Sequence, residues 1–204
     1  MQSLINTVHT RLVFGRRVRV LAEALAQVIP PDSRVLDVGC GDGQISAQAA
    51  GNGHNISVVG IDVLLRPHCY IPVTQFDGSH IPFPDASFDV VMFVDVLHHT
   101  EDPATLLAEA RRVTRKYVVL KDHFRTGPIG NLTLRLMDWF GNAHHNVVLP
   151  YNYLSETEWE ATYKVSGLEI VQLRRKLGLY PFPANLVFGR GLHFVALLEK
   201  SQMS

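Results

Sequence analysis

Hydrophobic positions along this chain switch between two periods, and the switches outline its elements. Val18, Leu21, Leu25 and Val28 recur at helical spacing within 16–29, and Pro30-Pro31-Asp32 stops that run. A second helical stretch, 3–14, precedes it, with a break near Gly15. Segments 35–38, 56–61 and 88–96 are short and almost wholly apolar, which predicts parallel strands buried on both faces. Further strands are predicted at 71–76, 117–120, 167–177 and 192–199. Helices fall between them, beginning with 44–50. The next opens at Asp102, an N-cap, with Pro103 in the first helical position. It carries Leu106, Leu107, Ala110 and Val113 on its inner side, and Thr114-Arg115-Lys116 reads as the connection that follows. Another helix, 130–140, has Leu132, Leu136 and Phe140 on one side, and 155–165 opens with a capping box of Ser155 and Glu158. The crossover at 63–68 is little more than one turn. Strands alternating with helices predict an α/β domain.

Totals narrow the partners. At 204 residues the chain reads as a single domain over 1–204. With 47% hydrophobic and 19% charged residues it is expected to be globular and soluble. Lys+Arg and Asp+Glu both number 19, so the basic excess that usually marks a nucleic-acid grip is missing. Two cysteines, Cys40 and Cys69, make no disulfide framework and point to a reduced, cytoplasmic setting. No apolar run approaches the ~20 residues that span a bilayer, and 1–13 lacks the apolar core of a signal peptide.

The most informative stretch is Val35 to Gly43, V-L-D-V-G-C-G-D-G. A strand carrying one acid, Asp37, runs into Gly39, Gly41 and Gly43 and then into a helix. Glycine permits positive φ and lets a ligand lie against the backbone, so this unit reads as the nucleotide-binding crevice of a doubly wound sheet. The dinucleotide fingerprint G-x-G-x-x-G would need its third glycine where Gln44 stands. Asp62 ends the second strand roughly 20 residues on, where an acid can take ribose hydroxyls. Phe76-Asp77-Gly78 follows the third, and P-F-P-D-A-S-F-D-V-V (82–91) comes just behind. From about Arg34 to Arg112 this series resembles the class I S-adenosylmethionine-dependent methyltransferases, in particular the methyltransferase type 11 branch. The resemblance implies a Rossmann-like, seven-stranded doubly wound sheet with an antiparallel last strand. It implies S-adenosylmethionine as cofactor, held by Asp37, Gly39, Cys40, Gly41, Asp62, Val63, Asp77, Gly78 and Asp95. Asp95 stands either at the methionyl end of the cofactor or facing the substrate.

Methyl transfer to a hydroxyl or an acidic carbon needs a proton acceptor, whereas a thiol, amine or carboxylate needs mainly positioning. Among 10 histidines, His98 and His123 follow strands that end on the ligand side, and they are the candidate bases. His98 has a paired neighbour, His99, of the kind common in the family whatever the chemistry. Asp122 can orient the His123 imidazole or lie on the surface, since neighbouring strand residues point to opposite faces. His144 and His145 lie in a long polar and aromatic loop, 141–153, expected to order over the acceptor as a lid. No H-x-x-x-H, H-E-x-x-H or C-x-x-C spacing supports a metal site.

The N-terminal helices (1–31), a helical and lid insertion (125–160) and the loop 177–191 are expected to build the acceptor pocket. Trp139, Phe140, Tyr151, Tyr153, Tyr180, Phe182 and Phe188 are candidates to line it, against ordinary core roles for about half of them. Arg11, Arg16, Arg17 and Arg19 form either a solvated helix face or a contact for an anionic substrate or membrane surface. D-V-L-H-H after the fourth strand replaces the N-P-P-Y or D-P-P-Y of base methylation in the family, which argues against nucleic acid. A small-molecule or lipid-like acceptor is the expectation. A non-catalytic cofactor-binding partner in a biosynthetic complex and an NAD-dependent oxidoreductase stand as alternatives.

Overall fold

A computed structural model describes residues 15–52, 54–142, 151–189 and 191–201. The first helix, α1, is Gly15–Ala26; the stretch 3–14 lies outside the described residues. There follow β1 Arg34–Val38, α2 Gln44–Ala50, β2 Ser57–Asp62, β3 Val73–Gln75 and β4 Phe88–Val94. After a 3₁₀ turn, Leu97–His99, come α3 Pro103–Val113, β5 Thr114–His123 and α4 Gly127–Asn142. The chain closes with α5 Glu156–Val165, β6 Leu168–Arg174, α6 Ala184–Phe188 and β7 His193–Lys200. Seven strands form one sheet in the order β3-β2-β1-β4-β5-β7-β6. β1 to β5 pair in parallel, and β7 runs antiparallel between β5 and β6.

Period-2 alternation of the central strands divides the core into two layers. Leu36, Val38, Val91, Phe93, Val118, Leu120, Phe194 and Ala196 pack on one side with Leu106, Leu107 and Ala110 of α3 and Trp159 and Tyr163 of α5. The intervening residues Val35, Val90, Met92, Val119 and Val195 pack on the other, with Ala22 and Leu25 of α1 and Ala49 of α2. Both faces are therefore covered, and strands such as F-D-V-V-M-F-V can be apolar almost throughout. Truncating a fully enclosed side chain such as Leu25 or Leu107 removes about 2–5 kcal/mol in such a core.

Local signals hold where the capping geometry is local. Asp102 Oδ1 accepts from the backbone N–H groups of Ala104 (3.0 Å) and Thr105 (3.4 Å). Ser155 and Glu158 cap α5 reciprocally. Other expectations change. Thr114-Arg115-Lys116 is no connection: α3 runs directly into β5, with Thr114 paired to Phe88 and its Oγ1 donating to the Tyr117 carbonyl (2.8 Å). The stripe of α4 carrying Leu132 and Leu136 is exposed, and Leu134 on the opposite side packs with Tyr153 and Leu192. No helix forms between β2 and β3, so Val63, Leu64 and Leu65 stay exposed at the crevice edge. A short helix, α6, forms where a loop was expected.

Topology then sets the site. Parallel strands β1, β2, β4 and β5 all end at one edge of the sheet. Antiparallel β7 begins there, so His193 pairs with His123. Ligands in open α/β sheets bind outside this edge.

Candidate functional site

The glycine loop follows β1 and opens α2. Gly39, Gly41 and Gly43 all hold positive φ (72°, 60° and 74°), the region where a Cβ costs about 1–2 kcal/mol. Two of them are also packed: a Cβ would lie 2.6 Å from Val96 at Gly39 and 2.3 Å from Ile71 at Gly43. At Gly41 a Cβ would meet nothing within 4 Å, so that glycine faces the crevice itself. Asp62, at the end of the neighbouring strand, reaches across to the loop. Its Oδ2 accepts from Gly41 N (2.8 Å) and its Oδ1 from Leu64 N (2.9 Å). Asp37 is enclosed beneath the loop and accepts a hydrogen bond from Ser46 Oγ of α2. Burial pushes its carboxyl up to about 7, against the opposing Ser46 bond and with a contribution from Asp62. Cys40 turns inward against Gly60, where burial and then Asp37 push its thiol well up. Asp77 is exposed, its Oδ1 accepting from Ser79 N (2.8 Å) and His80 N (2.7 Å), and Gly78 has φ 89°. Val63 lies exposed beside Asp62. Thus Gly41, Asp62, Val63, Asp77 and Gly78 edge the crevice, while Asp37, Gly39 and Cys40 lie behind it and shape the loop.

Charge dominates the other half of the edge. Asp95, just past β4, is a non-glycine residue at φ 58°. One of its carboxylate oxygens pairs with Lys121 of β5 and the other with Arg17 of α1. Burial alone would raise the Asp95 carboxyl; the two cations hold it well below the usual carboxylate range. Lys121 has no exposed surface. Burial lowers its ammonium from the ordinary lysine value, and Asp95 opposes that effect. Its Nζ also lies 3.4 Å from His193 Nδ1, while His193 Nε2 lies 3.0 Å from the Phe188 carbonyl.

A second buried carboxylate organises the histidines. Asp122 Oδ1 lies 2.7 Å from His98 Nδ1 and 3.2 Å from His123 Nδ1, and it also accepts from His123 N (2.8 Å). Asp122 is fully enclosed rather than a surface acid, and although it is adjacent to His123 on the strand its Oδ1 meets both the backbone N–H and the ring of that residue. Burial raises its carboxyl, and the two imidazoles overcome this and hold it below the usual range. At His123, burial and then the Lys121 charge push the ring down to about 4. Tyr153 stacks on His98 (5.3 Å between ring centres), and Trp159 Nε1 donates to the His123 carbonyl (3.0 Å). The end of the expected lid therefore lies on His98, where Asn152 N also donates to the His98 carbonyl (3.2 Å). His144 and His145 lie outside the described residues.

Ligating atoms of His98, Asp122 and His123 come within 4.8 Å of one another, a grouping that no local spacing foretells. The three hydrogen bonds to Asp122 Oδ1 account for the grouping, and Lys121 adds a positive charge beside it. Beside His193 lies a cavity of about 270 Å³, lined also by Arg175, Lys176, Leu177–Leu179, Asn185 and Gly189. His98 and His123 thus come together as read from strand ends. The sequence pattern has Arg17 as part of a basic patch, Asp122 as a candidate partner of His123 and Tyr153 as a pocket candidate; it does not single out Lys121 or His193. The signal available for Lys121 was a lysine and an acid at the ends of two consecutive strands.

Residues 36–120 match the profile of a methyltransferase domain family. The 27-O-demethylrifamycin SV methyltransferase of Amycolatopsis mediterranei is 31% identical over 47% of this chain and 40% of its own length. A ubiquinone/menaquinone biosynthesis C-methyltransferase of Cupriavidus pinatubonensis is 30% identical over 63% of this chain and 61% of its own. The chain thus spans less than two thirds of the length of these relatives. Among solved structures, a Burkholderia thailandensis 1,6-didemethyltoxoflavin-N1-methyltransferase with bound 1,6-didemethyltoxoflavin and S-adenosylhomocysteine shares the fold, with TM-score 0.65 and 20% identity, covering 98% of this chain and 87% of that one. One chain of a complex between the Haloferax volcanii Trm112 methyltransferase activator and a protein described as a methyltransferase does so with TM-score 0.70 and 14% identity, covering 97% and 95%.

Proposed function

We propose that this chain is a class I S-adenosylmethionine-dependent methyltransferase that moves a methyl group to a small-molecule or lipid-like acceptor, a reading supported by the methyltransferase-domain match and the relatives above. The observation that carries the reading is the Gly41–Asp62 contact, a positive-φ glycine facing the crevice and tied to the acid at the next strand end. The residues present fit the cofactor. Asp62 would take the ribose hydroxyls, Val63 would lie against the adenine, and Asp77 and Gly78 would meet its amine edge. Asp95 would face the methionyl end, and Asp37, Gly39 and Cys40 would support the loop. S-adenosylmethionine supplies a methyl group already activated on a sulfonium, so the protein's task is to orient the acceptor and exclude water.

The protein's own residues supply the proton chemistry. Asp122 holds the Nδ1 side of both His98 and His123. A neutral ring with its proton on Nδ1 presents Nε2 as an acceptor. His123, pushed to about 4, is neutral at physiological pH and can accept a proton from a hydroxyl or an acidic carbon. His123 keeps 6% of its surface accessible against 1% for His98, which makes it the better placed of the two. His98 then completes the wall with Tyr153. Of the 125–160 insertion, the described Tyr151–Tyr153 end would lie over the acceptor side of His98.

The relatives named for rifamycin, quinone and toxoflavin methylation act on small molecules, which supports that acceptor class. No described helix is long and apolar enough to cross a membrane. Calorimetry with S-adenosylmethionine, S-adenosylhomocysteine and NAD tests the cofactor. Labelled methyl transfer to a panel of phenols, quinols and small heterocycles tests the acceptor. Binding of NAD alone would overturn the reading.

A further inference from the structure

We propose that Lys121 is a positioning residue that fixes His193 as its Nε2–H tautomer and keeps His123 a neutral imidazole. The inference rests on the reading above only for what the histidines are used for; the proton arrangement stands on the geometry.

An ammonium donates hydrogen bonds and accepts none, and a carbonyl oxygen accepts and donates none. His193 lies between one of each. Its Nδ1 is 3.4 Å from Lys121 Nζ and its Nε2 is 3.0 Å from the Phe188 carbonyl. A single arrangement satisfies both ends: a lone pair on Nδ1 and the proton on Nε2. A doubly protonated ring would set an N–H against the ammonium. Lys121 thereby ties the start of β7 to the end of α6, and so anchors the wall of the His193 cavity. Asp95 holds Lys121 from the other side. One enclosed ammonium thus joins the end of β4, β5, β7 and, through His193, the end of α6, and Arg17 brings α1 to the same carboxylate.

The second consequence falls on His123. Its Nδ1 lies 3.2 Å from Asp122 Oδ1 and 3.7 Å from Asp95 Oδ1. Two carboxylates this close would favour an imidazolium, which is useless as a proton acceptor. The other groups around the ring are His98 (4.9 Å between centres), His193 (4.7 Å) and Tyr153 (5.9 Å), with Arg17 reaching it through Asp95. Lys121 and Arg17 are the cations that offset the two acids. Removing the lysine charge leaves two carboxylates against one partly exposed guanidinium, and the ring should then bind its proton more tightly.

Long-range ¹H–¹⁵N correlation spectra of the full chain, recorded from pH 4.5 to 8.5, read tautomer and protonation directly. His193→Gln and His123→Gln assign the resonances. Wild type should keep His193 as Nε2–H throughout. Lys121→Gln retains an N–H but loses the charge. It should preserve the His193 tautomer and strengthen proton binding at His123 by about tenfold or more, the scale of removing a neighbouring like charge. Lys121→Met removes both, so the His193 tautomers should mix as well. Nδ1–H on His193 in the wild-type spectrum overturns the inference, and that result needs no variant to fold. An unmoved His123 titration in both folded variants overturns its second half. S-adenosylhomocysteine calorimetry on the same samples separates the readings: no binding by wild type removes the methyltransferase assignment and leaves the tautomers to stand or fall alone.

Discussion

The two halves of the crevice hold their groups by different means. On the β1–β2 side, backbone conformation dominates, with Gly39, Gly41 and Gly43 at positive φ and Asp62 bonded to main-chain N–H groups. On the β4–β5–β7 side, side-chain charge dominates, with Asp95 and Asp122 surrounded by Arg17, Lys121, His98 and His123. The first half arises within about 30 residues of chain. The second draws on α1, β4, β5 and β7. A backbone cradle is general for one cofactor, whereas a charge cluster is particular to one reaction. Affinity should therefore follow the first half and turnover the second.

The sharpest way to break that division is to remove the proposed base. For a hydroxyl acceptor, His123→Ala should lower the single-turnover rate by ~100- to 10,000-fold, with S-adenosylhomocysteine affinity nearly unchanged. His98→Ala belongs to the same test, since Asp122 links the two rings. Wild-type rates in both variants would mean that positioning alone suffices and that the acceptor is already nucleophilic. On the cofactor side, Asp62→Ala should weaken S-adenosylmethionine binding by about 1.5–3 kcal/mol, the scale of a hydrogen bond to a charged group. Calorimetry giving native affinity would take Asp62 out of the site. Gly41→Val should lower stability by the ~1–2 kcal/mol that positive φ imposes on a side chain and weaken binding by filling the open space beside the loop. A folded variant with native affinity would contradict the loop assignment.

Acid and base in the two halves should also give pH effects of opposite sign. His123 titrates near 6.5 unfolded and about 4 folded, so the unfolded chain holds the extra proton between those values and stability rises with pH there. Asp37 titrates near 3.8 unfolded and about 7 folded, so the folded chain holds the extra proton and stability falls as pH rises through that window. Asp37→Asn should therefore steepen the rise of melting temperature from pH 4 to 7, and His123→Gln should flatten it, as thermal scans across that range can check. The smallest effect is expected away from both halves. Ser155→Ala should lose about 1 kcal/mol of stability through the α5 cap, with binding and rate unchanged.

Elements whose cause is local were legible. The helix Gln44–Ala50 has the same bounds in sequence and structure, because the glycines before it and Gly51 after it set its ends. The Asp102 and Ser155 caps are likewise local. β5 was read too short, because the polar run 114–116 has no apolar pattern; its pairing comes from β4 and β7. α4 was legible as a helix, but which of its sides is covered depends on Tyr153 and Leu192, far from it in sequence.

By itself, then, the sequence determined the alternation of elements, the glycine conformations, the caps and the positions of His98 and His123 at strand ends. All of these follow from φ/ψ preference, periodicity and hydrogen bonds within a few residues. Only the tertiary structure decided which charges face one another. Lys121 reads as an ordinary strand-end lysine until Asp95 and His193 close around it, and those residues lie 26 positions before it and 72 after. A charge removed from water must find a partner wherever the fold brings one. The pairing is therefore set by strand order, and above all by the antiparallel turn of β7 that brings His193 to the site.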